Sequence, residues 1–304
     1  MRRIVVNGAT SMIGASIVRC ALAQGSEVLC IVRNDSARMG NIPKSERVTV
    51  ARADLDDYAS LEIEERYDEF YHVAWGETAS VAHNDVDTQE RNIRGTLSAA
   101  YLAHRVGCSV FVGAGSQAEY GIVNEPLRPD TPANPQSGYG VAKYAAGKLS
   151  ALLCEQLGIR HNWIRLLSIF GPQDRANMLI VYAVRELLAG RSPEVTKCEQ
   201  IWDYLYCDDA AKAFLAVGKS GVAGKAYPLG SGKPRRLFEY LEALRGIVNP
   251  DGALQFGKRG YYRHQPMHLC ADISELAGDT GWKPEVSFED GVRKVVEGIR
   301  SEAQ

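Results

Sequence analysis

The chain has 304 residues, with 35 Lys plus Arg against 37 Asp plus Glu, and 45% of it is hydrophobic. The near balance of charge gives no general attraction to nucleic acid or an anionic membrane, and the composition excludes a disordered or fibrous chain. At about twice the commonest domain size, it is one large domain or two. Met1-Arg2-Arg3 is followed by only three apolar residues before Asn7-Gly8, which is too short for a signal peptide. No apolar run reaches the ~18 residues of a membrane span, so a cytoplasmic protein is expected. The seven cysteines contain no Cys-x-x-Cys pair, so neither a disulfide framework nor a zinc site is expected; most read as buried thiols.

In chain order, Ile4–Val6, Val28–Val32, Val48–Ala51, Phe70–Ala74, Val110–Val112 and Asn162–Leu166 read as strands separated by helical segments. Gly25, Gly107 and Gly158 stand where left-handed caps end three of those helices. Six βα units of this kind predict an α/β fold, a Rossmann-like doubly wound parallel sheet with a smaller C-terminal substrate-binding region. The first domain is expected over residues 1–170. Beyond Gly171-Pro172 the alternation weakens, with helices at Met178–Ala189 and Phe238–Arg245. Tyr204–Cys207 and the Ala-rich segment after it read as one more βα unit, so 202–228 is expected to return to the first domain, leaving 171–201 and 229–304 to the second.

Gly8-Ala9-Thr10-Ser11-Met12-Ile13-Gly14 follows the first strand and opens a helix. Small residues there let backbone amides approach a pyrophosphate, and the helix N-terminus favours the anion. The middle glycine of the usual pattern is Ser11; the strand-turn-helix context carries the reading instead. At the end of the second strand stand Arg33 and, five residues on, Arg38, cations suited to a 2′-phosphate. NADP is therefore the preferred expectation, with NAD the other. Asp54 has two readings, acceptor for an adenine amino group or cap of the next helix.

Tyr139 and Lys143, four residues apart, share one helical face. A phenol beside an ammonium is a proton-transfer pair, and Ser116 upstream adds a hydroxyl for a substrate carbonyl.

The chain resembles the extended short-chain dehydrogenase/reductase family of nucleotide-sugar epimerases, dehydratases and 4-ketoreductases. The resemblance runs through Gly8 to Gly14, Asp54-Leu55, His72-Val73-Ala74, Asn92 to Thr96 and Ser116 to Gly121. It continues through Tyr139 to Lys143, Phe170-Gly171-Pro172, Asp203 to Asp209, Gly230-Ser231-Gly232, Ala271 to Ser274 and Gly281 to Pro284. It implies that Ser116 and Tyr139 hold the sugar and that Lys143 binds the nicotinamide ribose and tunes Tyr139. It also implies cofactor contacts from Asp54, Leu55, Val73, Ala74, Trp75 and Asn92, and substrate contacts from Trp75, Ser116, Gln117, Ser168 and Arg235. A homodimer is expected, paired through helices over Asn92–Val106 and Tyr139–Leu157.

The departures narrow the chemistry. Gln117 and Ala118 replace the Asp-Glu pair of family dehydratases, which argues against loss of water. Ser168 stands where many epimerases have Asn, and Trp75 where a small residue is common. Lys233, Arg235 and Arg236 lie in the region where the family binds a diphosphate. His264 and His268 lack an accompanying carboxylate cluster, so no metal is expected. Asp208 and Asp209 read as structural residues at a helix start. Three functions remain: reduction of a 4-keto nucleotide sugar by NADPH, 4-epimerisation with retained NAD, and nucleotide sensing without catalysis.

Overall fold

The short apolar runs of the first half are strands, and they lie side by side. The structure, a computed structural model, describes residues 1–76, 83–262 and 265–302. Its strands are β1 (Arg3–Asn7), β2 (Glu27–Val32), β3 (Val48–Arg52), β4 (Glu69–His72), β5 (Val110–Ser116), β6 (Arg160–Leu166), β7 (Ser168–Phe170), β8 (Ile201–Trp202), β9 (Tyr204–Tyr206), β10 (Ala226–Leu229) and β11 (Arg235–Arg236). The helices are α1 (Met12–Ala23), α2 (Val86–Arg105), α3 (Gly138–Gln156), α4 (Leu179–Leu188), α5 (Cys207–Ser220), α6 (Leu237–Val248), α7 (Ser274–Thr280) and α8 (Phe288–Glu302).

Seven strands form one sheet in the order β10-β6-β5-β4-β1-β2-β3, every pair parallel. Successive side chains point to opposite faces, and both faces are covered, so the strands are apolar throughout. Ile4 and Val6 enter the core shared with α1 and α5, whereas Val5 enters the core shared with α2 and α3. The sheet winds one way from β1 to β3 and the other way from β4 onward. A crevice for ligands lies at such a reversal, outside the carboxyl ends of β1 and β4.

The fourth strand ends at His72, two residues earlier than expected. The Asn7 side-chain oxygen accepts from the Val73 and Ala74 amides at 2.8 and 3.1 Å, taking donors that a strand would offer its neighbour. β5, in contrast, runs four residues beyond Val112, to Ser116. Tyr204–Tyr206 is a strand, but it pairs with β7 in a separate two-stranded sheet. The helix after it, α5, packs against α1, and β10 extends the main sheet beside β6.

A second apolar core lies between α4, α6 and α8, built from Ile180, Val184, Leu187, Leu241, Leu244, Val292, Val295 and Ile299. Asp209, fully buried, accepts from the Glu285 and Val286 amides at 2.9 and 2.7 Å, and Asp208 pairs with Arg19. Both stand in the first turn of α5, as expected, and each also ties a distant segment to it. All seven cysteines are free and six are buried. Among the described residues, no helix is long and apolar enough to cross a membrane.

Candidate active site

The glycine turn is shaped by its own backbone. Gly8 has φ +66°, and a Cβ there would stand 2.8 Å from the Ala74 amide nitrogen; one on Gly14 would stand 2.3 Å from the Gly8 carbonyl oxygen. The tightness brings β1, the loop after β4 and the first turn of α1 together, as a cradle for pyrophosphate requires. Ser11 caps α1 by accepting from the Gly14 amide at 3.1 Å, with Met12 and Ile13 opening the helix behind it. Thr10 is tied to the loop after β2, its hydroxyl accepting from Ser36 and its carbonyl from Asn41.

At the end of β2 the Arg33 side chain is 67% exposed and lies 3.7 Å from the still more open Asp35, a contact too loose to engage it. Arg38 precedes a one-turn 3-10 helix and is exposed. The Asp54 carboxylate accepts from Asn34 at 3.2 Å, and its amide donates to Asp57 at 3.3 Å. Asp54 thus opens the short turn that contains Leu55. Asn92 is buried: it accepts from the Gly76 amide at 2.7 Å and donates to the Gly76 carbonyl at 3.0 Å, anchoring the loop that carries Val73, Ala74 and Trp75.

Behind that loop His72 is fixed by Asn7 at 2.7 Å and Thr96 at 3.0 Å. Since the Asn7 oxygen is occupied by backbone amides, its NH2 group donates to His72 Nδ1, leaving Nε2–H to donate to Thr96. Burial pushes the imidazole down to about 3, so it is neutral.

Tyr139 and Ser116 meet because two elements are pressed together. Ser137 caps α3 by accepting from the Gly140 amide at 3.1 Å, and a Cβ on Gly140 would stand 2.4 Å from the Ala118 carbonyl oxygen. The first turn of α3 therefore seats directly on the 3-10 turn Gln117–Glu119 that follows β5. The Tyr139 phenol faces the Ser116 hydroxyl, which favours its ionised form. His83 stacks on its ring at 4.8 Å, and Trp75 meets it edge-on at 6.0 Å.

One helical turn on, the buried Lys143 Nζ donates to the Ala114 carbonyl at 2.7 Å and lies 3.7 Å from the centre of the Trp75 ring, a cation–π contact. Burial holds this ammonium down to about 7, Glu119 opposing it. Burial pushes the Tyr139 phenol up to about 12, against the neighbouring Ser116 hydroxyl and the charge of Arg175. The resting phenol is protonated, ready to give a proton to an oxygen beside Ser116.

The other predicted substrate contacts are spread apart. Gln117 adjoins Ser116 in the 3-10 turn. Ser168 accepts from the Trp202 indole at 2.7 Å. Arg235 is bound by Glu289 at 2.5 Å and lies over the Tyr240 ring at 5.2 Å. The Gly230-Ser231-Gly232 segment is gathered around buried Asp203, which accepts from the Ser231 amide and hydroxyl and the Gly232 amide. His264 lies outside the described residues, among which no cluster of His, Cys, Asp or Glu is arranged to hold a metal.

The sequence reading assigned no role to Glu119, His83 or Arg175. The alternation Gly113-Ala114-Gly115 in a buried strand was the available signal for Glu119, since glycine there makes room for something large.

A family model described as NAD dependent epimerase/dehydratase family matches residues 4–230. The chain is 24% identical over 306 residues to a putative UDP-glucose 4-epimerase of Methanocaldococcus jannaschii, covering 98% of each. It is 26% identical over 223 residues to a GDP-6-deoxy-D-mannose reductase of Pseudomonas aeruginosa, covering 69% of this chain and 72% of the relative. Among solved structures, a UDP-N-acetylglucosamine 4-epimerase from Methanobrevibacter ruminantium M1 in complex with UDP-N-acetylmuramic acid matches with TM-score 0.90 at 23% identity over 99% of both chains. A UDP-glucuronic acid 4-epimerase from Bacillus cereus in complex with UDP-glucuronic acid and NAD matches with TM-score 0.87 at 22% identity, again over 99% of both.

Proposed function

The chain belongs to the NAD-dependent epimerase/dehydratase family, and from that premise we propose that it reduces the 4-keto group of a nucleotide-diphosphate sugar at the expense of NADPH. The observation that carries this reading is the meeting of Tyr139 with Ser116, where the first turn of α3 seats on the turn after β5, one helical turn from Lys143.

The glycine turn suits a dinucleotide pyrophosphate, with Arg33 and Arg38 toward a 2′-phosphate and Asp54, Leu55, Val73, Ala74 and Asn92 framing the rest. The bound cofactor supplies hydride exchange at the sugar carbon. Ser116 donates to the carbonyl oxygen and fixes its direction. Tyr139 gives that oxygen the proton it needs as it becomes a hydroxyl, and Lys143 steadies the phenolate left behind. Trp75 and Gln117 border the sugar. Ser168, whose oxygen is engaged by Trp202, keeps its own hydrogen for a phosphate; Arg235 reaches one only when Glu289 releases it. Residues 1–170 and 202–228 hold the cofactor on this reading, and 171–201 with 229–304 hold the substrate.

A homodimer through α2 and α3 accounts for exposed Tyr101, Leu149 and Leu152 on those helices. A concentration-independent monomer in sedimentation would reject it.

The second reading, 4-epimerisation with retained NAD, is favoured by the relatives named as epimerases. The test mixes the protein with NADPH and 4-keto sugars carried on UDP, dTDP, GDP and CDP. Loss of the reduced-nicotinamide absorbance in step with product supports the reductase; interconversion of two 4-hydroxy sugars without that loss replaces it by the epimerase.

A further inference from the structure

Behind Ser116 the fold keeps a buried charge. Glu119 is 0% exposed, and its Oε1 accepts from the Ser116 amide at 2.8 Å and the Trp163 indole at 2.9 Å. Its Oε2 accepts from Arg165 Nε at 2.7 Å, and the Arg165 guanidinium is itself buried over the Tyr120 ring at 4.4 Å. Glycines make the room. A Cβ on Gly115 would stand 2.5 Å from Glu119 Oε1 and 2.3 Å from Trp163 Nε1, one on Gly113 would stand 2.1 Å from the Trp163 ring, and one on Gly147 of α3 would stand 2.8 Å from it. Glycine weakens a strand, so two in the central strand that ends on the reactive serine mark a place where the neighbour matters more than the strand's own packing.

We propose that Glu119 is a positioning residue: it holds Ser116 at the end of β5 and, bonded to the Trp163 indole whose ring lies 6.0 Å from Lys143 Nζ, places a buried negative charge beside the reactive pair. The inference rests on the reading of Ser116, Tyr139 and Lys143 as the reactive group. Among the described residues, the titratable groups facing Lys143 are His72 from β4, Glu119 from the turn after β5 and Tyr139 from its own helix, while Arg175, from the loop after β7, faces Tyr139. His72 is held neutral by burial and Tyr139 is a phenol, which leaves Glu119 as the anion among these described groups. Its charge acts on both partners in one sense, toward the phenol and the ammonium. That direction favours the proton-giving form of the pair, the form that reduction of a carbonyl uses.

Replacing Glu119 alone would strand Arg165 as a buried unpaired cation, so the test uses the double variant Glu119→Gln with Arg165→Met, checked for folding by near-ultraviolet circular dichroism. Lys143 is titrated in the cofactor-free protein by NMR of ε-13C-lysine, its signal identified by its loss in Lys143→Met. The Arg165 cation leaves with the Glu119 anion, and Glu119 is the charge that bears on Lys143, so the expected result is a midpoint below that of the parent; an unmoved or raised midpoint overturns the proposal. Glu119→Asp, which keeps the charge but falls short of Ser116, covers the case in which the double variant does not fold. Its Lys143 should titrate as in the parent while kcat on a 4-keto nucleotide sugar falls at least about ten-fold with KM little changed; a change in KM alone overturns the positioning role. Because the titration uses no substrate, a shifted midpoint in a protein that turns over none of the sugars rejects the proposed function and keeps this inference. An unmoved midpoint in an active reductase does the reverse.

Discussion

The sheet edge proposed for the cofactor and the segments proposed for the sugar treat polar side chains in opposite ways. Along β1, β2 and the loop after β4 the shape is made by backbone: glycine contacts, amides gathered by Asn7, and a cap from Ser11. Arg33 is left nearly free. Across the chain, Ser168 is engaged by Trp202, Arg235 by Glu289, and the loop at 230–232 by Asp203. A site made by backbone exists before its ligand arrives, whereas one made of paired side chains must exchange partners when the ligand binds.

The largest test of this contrast is at the reactive pair. Tyr139→Phe should lower kcat by about 10²- to 10⁴-fold while cofactor affinity, set by the preformed edge, stays within about two-fold. A variant with full activity would remove the site from the chemistry. Next comes the free cation. A charge-assisted hydrogen bond contributes about 1.5–3 kcal/mol, so Arg33→Ala should weaken NADPH by roughly ten- to a hundred-fold in titration calorimetry and spare NADH. Equal weakening of both would mean that Arg33 does not read the 2′-phosphate.

A third test bears on the sheet beneath both regions. His161, stacked between Phe111 and Trp163, is held down to about 4 by burial, from an ordinary 6.5. As the pH falls, the unfolded chain takes the proton first, so the stability this residue contributes is present above about 6.5 and is lost toward 4. The melting temperature should fall over that window, and His161→Gln should make the fall shallower; an identical slope would assign the acid sensitivity elsewhere. The smallest effect is expected at Glu289→Ala. Its pair with Arg235 is partly exposed, so unfolding free energy should change by less than about 1 kcal/mol. UDP should bind at least as tightly to the variant, since the guanidinium is released. Weaker binding would show that Glu289 orients Arg235 for the phosphate instead of withholding it.

What the sequence disclosed follows the same division. Strand positions, the glycine turn and the Tyr139–Lys143 spacing are local properties, readable from periodicity and from four-residue offsets. The short β4, the separate pairing of β9 and the Glu289 partner of Arg235 depend on residues far apart in sequence. Asn7 ends β4 from the strand beside it, 66 residues away, and no local signal reports that. Glu119 lay in a segment already singled out, but its role appears only when Trp163 and Arg165 arrive from β6.

The place of β10 has a consequence for how the protein is made. On the ribosome, β1 to β6 emerge first and can pair in turn, yet the edge beside β6 stays open until roughly 60 further residues are synthesised. At about 5–20 residues per second that is some 3–12 s, during which the hydrogen-bonding groups of β6 have no neighbour on that side. Through the same interval the face of α1 that α5 will cover is bare. An exposed strand edge beside an uncovered apolar helix is a site for binding by a chaperone or by another nascent copy. Expression yield should therefore respond more to changes in the segment from β7 to α5, which delays closure, than to equal changes after β10.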